Sequence, residues 1–211
     1  THEFKTPITT ISSAIEGIRS FNDVNDKEKT NRYLNISGQQ LKKLEIMVEK
    51  LLETASIDTN QLTLNKEHIN IVELIQSNIE KYQMSSEKQI IFTSSLENLD
   101  CKVDVFHFEN AISNLIDNAV KYGGQTINVT LSNTSNHVSL TVEDNGIGIE
   151  KAQREKIFDK FYRIPKGNIH DVKGFGIGLF YSKKIIDKHN GTLELVPNSK
   201  NTIFKITLPN A

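Results

Sequence analysis

Asp144-Asn145-Gly146-Ile147-Gly148-Ile149 and Gly174-Phe175-Gly176-Ile177-Gly178-Leu179 decide how the second half of this chain is read. Each alternates glycine with a large aliphatic or aromatic residue. Glycine reaches backbone angles closed to other residues and lets a ligand approach the main chain. The second stretch runs into a helical pattern from Leu179 to His189, which places bare N–H groups and a helix N-terminus where a phosphate docks. A bound nucleotide is the expectation, with Asp144 accepting a hydrogen bond from a base amino group. Taken singly, each stretch also reads as a surface turn, Asn145-Gly146 being a common hairpin signal.

A third element lies upstream, from Asn110 to Tyr122. Phe108, Ala111, Ile112, Leu115 and Ala119 recur at helical spacing. Asn110, Asn114 and Asn118 follow one another at i, i+4 and i+8, a polar stripe flanking that apolar face. Asparagine is a mediocre helix former, so three in register point to a purpose beyond folding. Their carbonyl oxygens suit Mg²⁺, and Lys121, beside Tyr122 in the next turn, can neutralise phosphate charge. A solvated helix face remains the other reading of Asn110.

Composition excludes several classes. The net charge of −1 offers no bulk attraction to nucleic acid or anionic membrane. No apolar run reaches membrane-spanning length, and no signal peptide is evident. Cys101 is the one cysteine, so no internal disulfide forms and a reducing compartment is expected. The chain opens at Thr1-His2 without an initiator Met and reads as an excised fragment.

Residues 1–58 carry a different pattern. Phe4, Ile8, Ile11, Ile15 and Ile18 form one heptad seam; Leu34, Ser37, Leu41, Leu44, Val48, Leu51 and Ala55 form another. Phe21 to Asp26 is the expected turn between two helices. Two such helices leave their seams uncovered, so a homodimer with a four-helix bundle is expected, the alternative being a hairpin packed on its own downstream domain. A linker at 59–65 follows, with a short strand around Leu62 and Leu64. Residues 66–211 read as an α/β sandwich, one mixed and mostly antiparallel sheet with helices on one face. Its expected elements are helices at 71–84, 105–122, 150–158 and 179–189, and strands at 89–92, 126–131, 137–143, 192–196 and 202–208. A mobile loop is expected at 162–173. The fold class is therefore α+β.

At the front, His2 and Thr6 fall on the face opposite the first seam, one turn apart. Glu3 flanks His2, and Pro7 removes the N–H that would bond the Glu3 carbonyl, so a bend is expected there. An exposed imidazole beside a carboxylate has the makings of a nucleophile with its general base. The other histidines, His68, His107, His137, His170 and His189, read as structural or solvated.

Together these segments resemble the bacterial sensor histidine kinases. His2-Glu3-Phe4-Lys5-Thr6-Pro7 is similar to their H-box, Asn114 to Tyr122 to their N-box, and Asp144 to Gly148 to their first G-box. Phe158-Asp159-Lys160-Phe161-Tyr162-Arg163 is similar to their F-box, and Gly174 to Leu179 to their second G-box. Thr1 stands where Ser is commoner, and Lys5 where Arg is frequent. The resemblance implies an ATP-binding domain of the GHKL (Bergerat) type with ATP and Mg²⁺ as ligands. It implies His2 as phosphoacceptor with Glu3 orienting or deprotonating it, and Asn118 with Asn114 as metal ligands. Lys121, Tyr122 and Arg163 would meet phosphates or ribose, Asp144 the adenine amino group, and Gly146 and Gly148 would shape the base pocket. Gly174, Gly176, Gly178 and Leu179 would anchor a nucleotide-gripping lid, with Phe158 and Phe161 as its hinge packing. The phosphoryl group would pass to an aspartate on a response regulator receiver domain, and Thr6 would position water for the reverse phosphatase reaction. The chain would be the cytoplasmic portion of an inner-membrane sensor. The rival reading is an ATPase of the same fold acting as a conformational machine, and a further one is a scaffold that merely dimerises.

Overall fold

The structure is a computed structural model that describes residues 2–20, 27–58, 62–164, 176–197 and 199–210. The chain divides into two compact units, Thr1–Gln61 and Leu62–Ala211.

In the first unit, α1 (His2–Ser20) and α2 (Lys27–Asp58) pack against each other. Pro7 lies inside α1 without ending it. Tyr33 covers Gly17, where an added Cβ would come within 3.2 Å of the ring. Ala14 and Met47 are buried, yet most of the seam is not: Leu34 is 55% exposed, Leu41 57%, Ile8 51%, and Ile15 and Val48 48% each. The expected turn at 21–26 lies outside the described residues.

The second unit is built on a five-stranded sheet in the order β2-β4-β5-β7-β6, comprising β2 (Gln89–Ser94), β4 (Thr126–Asn133), β5 (His137–Asp144), β6 (Thr192–Leu195) and β7 (Thr202–Pro209). Only the β2–β4 pairing is parallel. Alternation sets its faces: Ile127, Val129 and Leu131 on β4 and Phe204, Ile206 and Leu208 on β7 are buried, while Thr130 is exposed and Lys205 and Thr207 half-exposed. The buried face is covered by α3 (Ile71–Ser85), α4 (Val105–Tyr122) and α5 (Gly178–Lys188). Helix α4 is the centre of this layer, with Phe108, Ala111, Ile112, Leu115 and Ile116 fully buried, as the apolar spacing predicts.

Two expectations fail, each for a local reason. No strand forms around Leu62 and Leu64. The strand is β1 (Glu67–Asn70), paired antiparallel with β3 (Asp100–Val103) in a separate two-stranded sheet. The pairing begins at Glu67 opposite Val103. The next residue, Asp104, leaves the ladder to cap α4, its carboxylate accepting from the His107 N–H at 3.0 Å. No strand remains to pair with 62–66, whose backbone is tied down otherwise: Asn65 N–H donates to Asp104 Oδ2 at 2.8 Å, and Leu62 O accepts from Lys188 Nζ at 3.2 Å. The helix expected at 150–158 is instead two single 3₁₀ turns, Lys151–Gln153 and Lys156–Phe158. Ile157 is the one buried residue they supply, too little apolar surface to hold a longer helix against the core.

His189 joins α5 to the start of α4. Its Nε2 accepts the Asp104 N–H at 2.9 Å, which leaves Nδ1 to donate to Ile185 O at 2.8 Å. Such a ring must be neutral, and burial holds its pKa below the ordinary histidine value. The unfolded ring takes up a proton near pH 6.5, before the folded one does. Folding stability from this group is therefore intact at higher pH and is lost as the pH drops below about 6.5. Hydrogen exchange of the α4 amides should speed up as the pH falls below about 6.5, beyond the intrinsic chemistry, and His189→Gln should flatten that dependence. An equally steep dependence in His189→Gln would contradict the assignment.

Candidate functional site

Strand β5 ends at Asp144, whose side chain is only 6% exposed. A carboxylate this buried needs partners. The Gly146 N–H donates to Oδ1 at 2.9 Å, and Thr202, opposite it in the β5–β7 register, supplies a side-chain hydrogen bond. Burial still raises its pKa above the usual aspartate value; the Gly146 and Thr202 bonds and the Lys88 charge work against that rise.

The end of α4 meets this carboxylate directly. A Cβ on Gly123 would lie 2.5 Å from the Asp144 Cβ and 2.7 Å from its Cγ. A Cβ on Gly146 would lie 2.8 Å from Asp144 Oδ1 and 2.9 Å from the Tyr122 carbonyl oxygen. Neither position admits a larger residue without moving backbone. Gly148, by contrast, has a φ of 76° and open space around it, so conformation rather than contact calls for glycine there. The adjoining cavity of about 220 Å³ is lined by Gly148, Arg154, Lys200 and Asn201 among others.

Helix α4 carries the asparagine stripe along its half-buried flank. Asn114 abuts the N-terminus of α5: its Oδ1 lies 3.1 Å from where a Gly178 Cβ would be. Asn118 is one turn nearer Asp144 along the helix. Among the described residues no cluster of His, Cys, Asp or Glu could hold a metal ion. The asparagine oxygens are neutral hard donors, which fits Mg²⁺ held chiefly by the phosphates of its substrate. In this structure Lys121 is paired with Asp117, one turn back. Tyr122 and Arg163 are exposed.

The F-box segment and the second glycine stretch are joined by backbone. Phe161 N–H donates to Gly176 O at 2.8 Å, and both residues have a φ of 66°. A Cβ on Gly176 would lie 2.6 Å from the Tyr162 carbonyl oxygen. A positive φ at a phenylalanine is strained, and it turns Phe161 outward, 51% exposed, while Phe158 packs edge-on to Phe204 at 6.3 Å. Leu179 is half-buried in the first turn of α5. Gly174, with the 165–173 part of the expected loop and His170, lies outside the described residues. So do the side chains of His2 and Glu3, whose backbone opens α1; Thr6 is exposed on that helix. Thr202 and Lys88 are site residues that the sequence reading missed.

Residues 103–211 match the profile of the histidine kinase-, DNA gyrase B- and HSP90-like ATPases, and residues 1–60 match the His Kinase A (phospho-acceptor) domain. The chain is 40% identical over 99% of its length to the sensor protein RprX of Bacteroides fragilis (strain YCH46), covering 42% of that protein. It is 30% identical over 99% of its length to the sensor histidine kinase WalK of Bacillus subtilis (strain 168), covering 35%. The chain thus spans less than half of either relative. The histidine kinase ThkA, solved in complex with the response regulator protein TrrA, superposes over the whole chain with a TM-score of 0.75, at 24% identity and over 59% of its own length. At that identity the likeness is one of fold.

A site that buries a carboxylate for a ligand should be less stable when empty than it could be. The folded pKa of Asp144 is raised, so the folded protein binds a proton more readily than the unfolded chain, and stability falls as pH rises through that window. Asp144→Asn, which keeps an oxygen for the Gly146 N–H, should raise the melting temperature of the empty protein near pH 8, by about 2–4 °C for each kcal/mol relieved. A lowered melting temperature would mean that the charge is compensated within the fold.

Proposed function

The chain belongs to the sensor histidine kinases, with a phospho-acceptor module followed by an ATPase module, and we propose that it transfers the γ-phosphoryl group of ATP to His2. What carries this reading is the combination in one chain of a buried, hydrogen-bonded carboxylate beside glycine-lined backbone and a His-Glu pair opening a heptad helix.

Asp144 accepts the adenine amino group; its burial makes that contact discriminating, because a base lacking the donor leaves the carboxylate unpaired. Asn118 and Asn114 hold Mg²⁺, which supplies charge neutralisation at the phosphates. Lys121 exchanges Asp117 for a phosphate, a swap between two anions that costs little on an exposed helix end. Tyr122 and Arg163 contact phosphate or ribose. Gly174, Gly176, Gly178 and Leu179 form the base of the lid over the nucleotide, and the N-terminus of α5 directs its N–H groups at phosphate. An imidazole nitrogen of His2 attacks the γ-phosphorus, the bond to the bridging oxygen breaks, and ADP leaves. Glu3 orients the ring and takes its proton. Such transfers rest mainly on positioning and charge neutralisation.

The phosphoryl group then passes to an aspartate of a response regulator receiver domain, and Thr6 holds the water of the reverse reaction. Exposed Ile8, Ile15, Leu34, Leu41 and Val48 support a homodimer in which a second hairpin covers them. The domain assignment is 1–58 for dimerisation and phosphotransfer, 59–65 for the linker and 66–211 for ATP binding. Among the described residues no helix is long and apolar enough to cross a membrane. The greater length of the sensor relatives supports a longer parent, and the proposed reading makes this chain the cytoplasmic portion of a membrane-anchored one.

The test is incubation with γ-labelled ATP and Mg²⁺. Acid-labile, base-stable label should appear on the protein, vanish in His2→Ala, and fall by about 100-fold or more in a folded Asn118→Ala. Thr6→Ala should keep the label yet lose dephosphorylation of the cognate regulator. ATP hydrolysis without any label on the protein would favour the ATPase-machine reading, and label persisting in His2→Ala would move the acceptor to another residue. Assembly is checked separately: in sedimentation the full chain should dimerise and residues 66–211 should remain monomeric, and a dimer of the shorter piece would move the interface off the hairpin.

A further inference from the structure

Lys88 lies in the turn between α3 and β2, away from every glycine stretch and from the asparagine helix in sequence. Its part-buried ammonium donates to Gly123 O at 2.7 Å and to Ala119 O at 3.4 Å. These are carbonyls of the last turn of α4 and its cap. That turn also carries Lys121 and Tyr122, and Gly123 is the residue whose backbone lies against the Asp144 side chain. A cation at a helix C-terminus meets the negative end of its dipole. Here it also fixes a backbone segment that joins the stripe helix to the base-reading carboxylate. The Lys88 backbone is held in turn: its N–H donates to Ser86 Oγ at 3.2 Å, and the following Gln89 N–H donates to Gln125 O at 3.0 Å. The clamp is therefore anchored at both ends.

We propose that Lys88 is a positioning residue of the nucleotide site, setting the distance between the end of α4 and Asp144 and providing the counter-charge that keeps Asp144 ionised. The inference rests on the reading of Asp144 as the adenine contact. The charged groups around Asp144 divide clearly. Lys88 comes from the turn before β2 and draws its pKa down. Glu143, on its own strand, pushes it up and is held by Asn201 Nδ2 at 2.6 Å from the β6–β7 turn. From β7 the facing group is the uncharged Thr202, and Lys121 of α4 is paired with Asp117. Lys88 is the cation that acts on this carboxylate. Removing it both loosens the α4 end and lets the carboxyl keep its proton to higher pH, and a protonated Asp144 no longer offers the full acceptor strength of a carboxylate to the adenine amino group.

The experiment is calorimetric titration of the 211-residue chain with ADP and Mg²⁺ from about pH 4, near the ordinary aspartate value, to about pH 8, each variant first checked for folding by thermal melting. Lys88→Met should weaken ADP about tenfold at the alkaline end. It should also move upward the pH at which affinity is lost on acidification. Lys88→Arg keeps the charge and the donors and should restore both. Should Lys88→Met fail to fold, Lys88→Gln keeps one donor without the charge and should still move the pH profile. Asp144→Asn should bind weakly with a flat profile that adding Lys88→Met does not alter. A folded Lys88→Met or Lys88→Gln with affinity within about twofold of the parent and an unmoved profile overturns the role of Lys88. If Asp144→Asn binds ADP as tightly as the parent, it is the adenine reading that falls, and this inference falls with it.

Discussion

Burial of one carboxylate constrains the ATP-binding unit. Asp144 sits where the end of β5, the end of α4 and the start of β7 converge, and an aspartate so placed must be satisfied by what surrounds it. One bond comes from the Gly146 N–H, which fixes the turn after β5. Another comes from Thr202, which fixes the β5–β7 register at its last pair. The close approach of Gly123 places α4 against the same side chain. A fold selected for stability alone would put an apolar residue at this point. That three elements are arranged around a charge with a raised pKa supports the ligand role proposed for this position.

Glycine has different work at different positions here, although the sequence pattern looks uniform. At Gly123 and Gly146 the missing Cβ is space: backbone or Asp144 occupies the place a side chain would need. At Gly148 it is angle, with room to spare. Gly176 combines both, with a positive φ and the Tyr162 carbonyl against it. Substitution by alanine should accordingly displace Asp144 from the first two, strain the backbone at the third, and separate the 158–162 segment from α5 at the last. The strained Phe161 on the other side of that junction shows the segment is held by its bond to Gly176, since its local preference opposes the conformation.

How much could be read beforehand follows the range of the interactions. The apolar face and asparagine flank of α4 were legible because helix periodicity is local, and the same holds for the alternation of β4, β5 and β7. The glycines, Asp144 and the asparagine oxygens announce themselves by residue type. Thr202 and Lys88 do not: a threonine opening a strand and a lysine after a helix are unremarkable until strand register and the α3–β2 turn carry them to Asp144. Strands β1 and β3 were missed because each is short and half polar, with Glu67 and His68 in the one and Asp100 and Lys102 in the other exposed. The strand expected at Leu62 and Leu64 failed for a non-local reason, since its potential partner ends where Asp104 turns to cap α4. The heptad seams were legible as a pattern, and their exposure shows what a pattern leaves unsaid, namely which chain covers them.

The two units differ in how completely each solves its own folding problem, and this bears on how their chemistry is controlled. The Leu62–Ala211 unit buries a continuous apolar core between sheet and helices, so the nucleotide site proposed on α4 rests on a helix that is rigid by packing. Its asparagines and the Gly123 junction are positioned whether or not anything else is bound. The Thr1–Gln61 unit leaves apolar residues along both helices in water, so its stability depends on concentration if a second hairpin covers them. Nucleotide affinity should then be a property of one chain, and the state of the acceptor helix a property of the assembly. On the proposed reading of His2, presentation of the acceptor and retention of ATP would then depend on separately stabilised structures, and the one could be switched while the other persists.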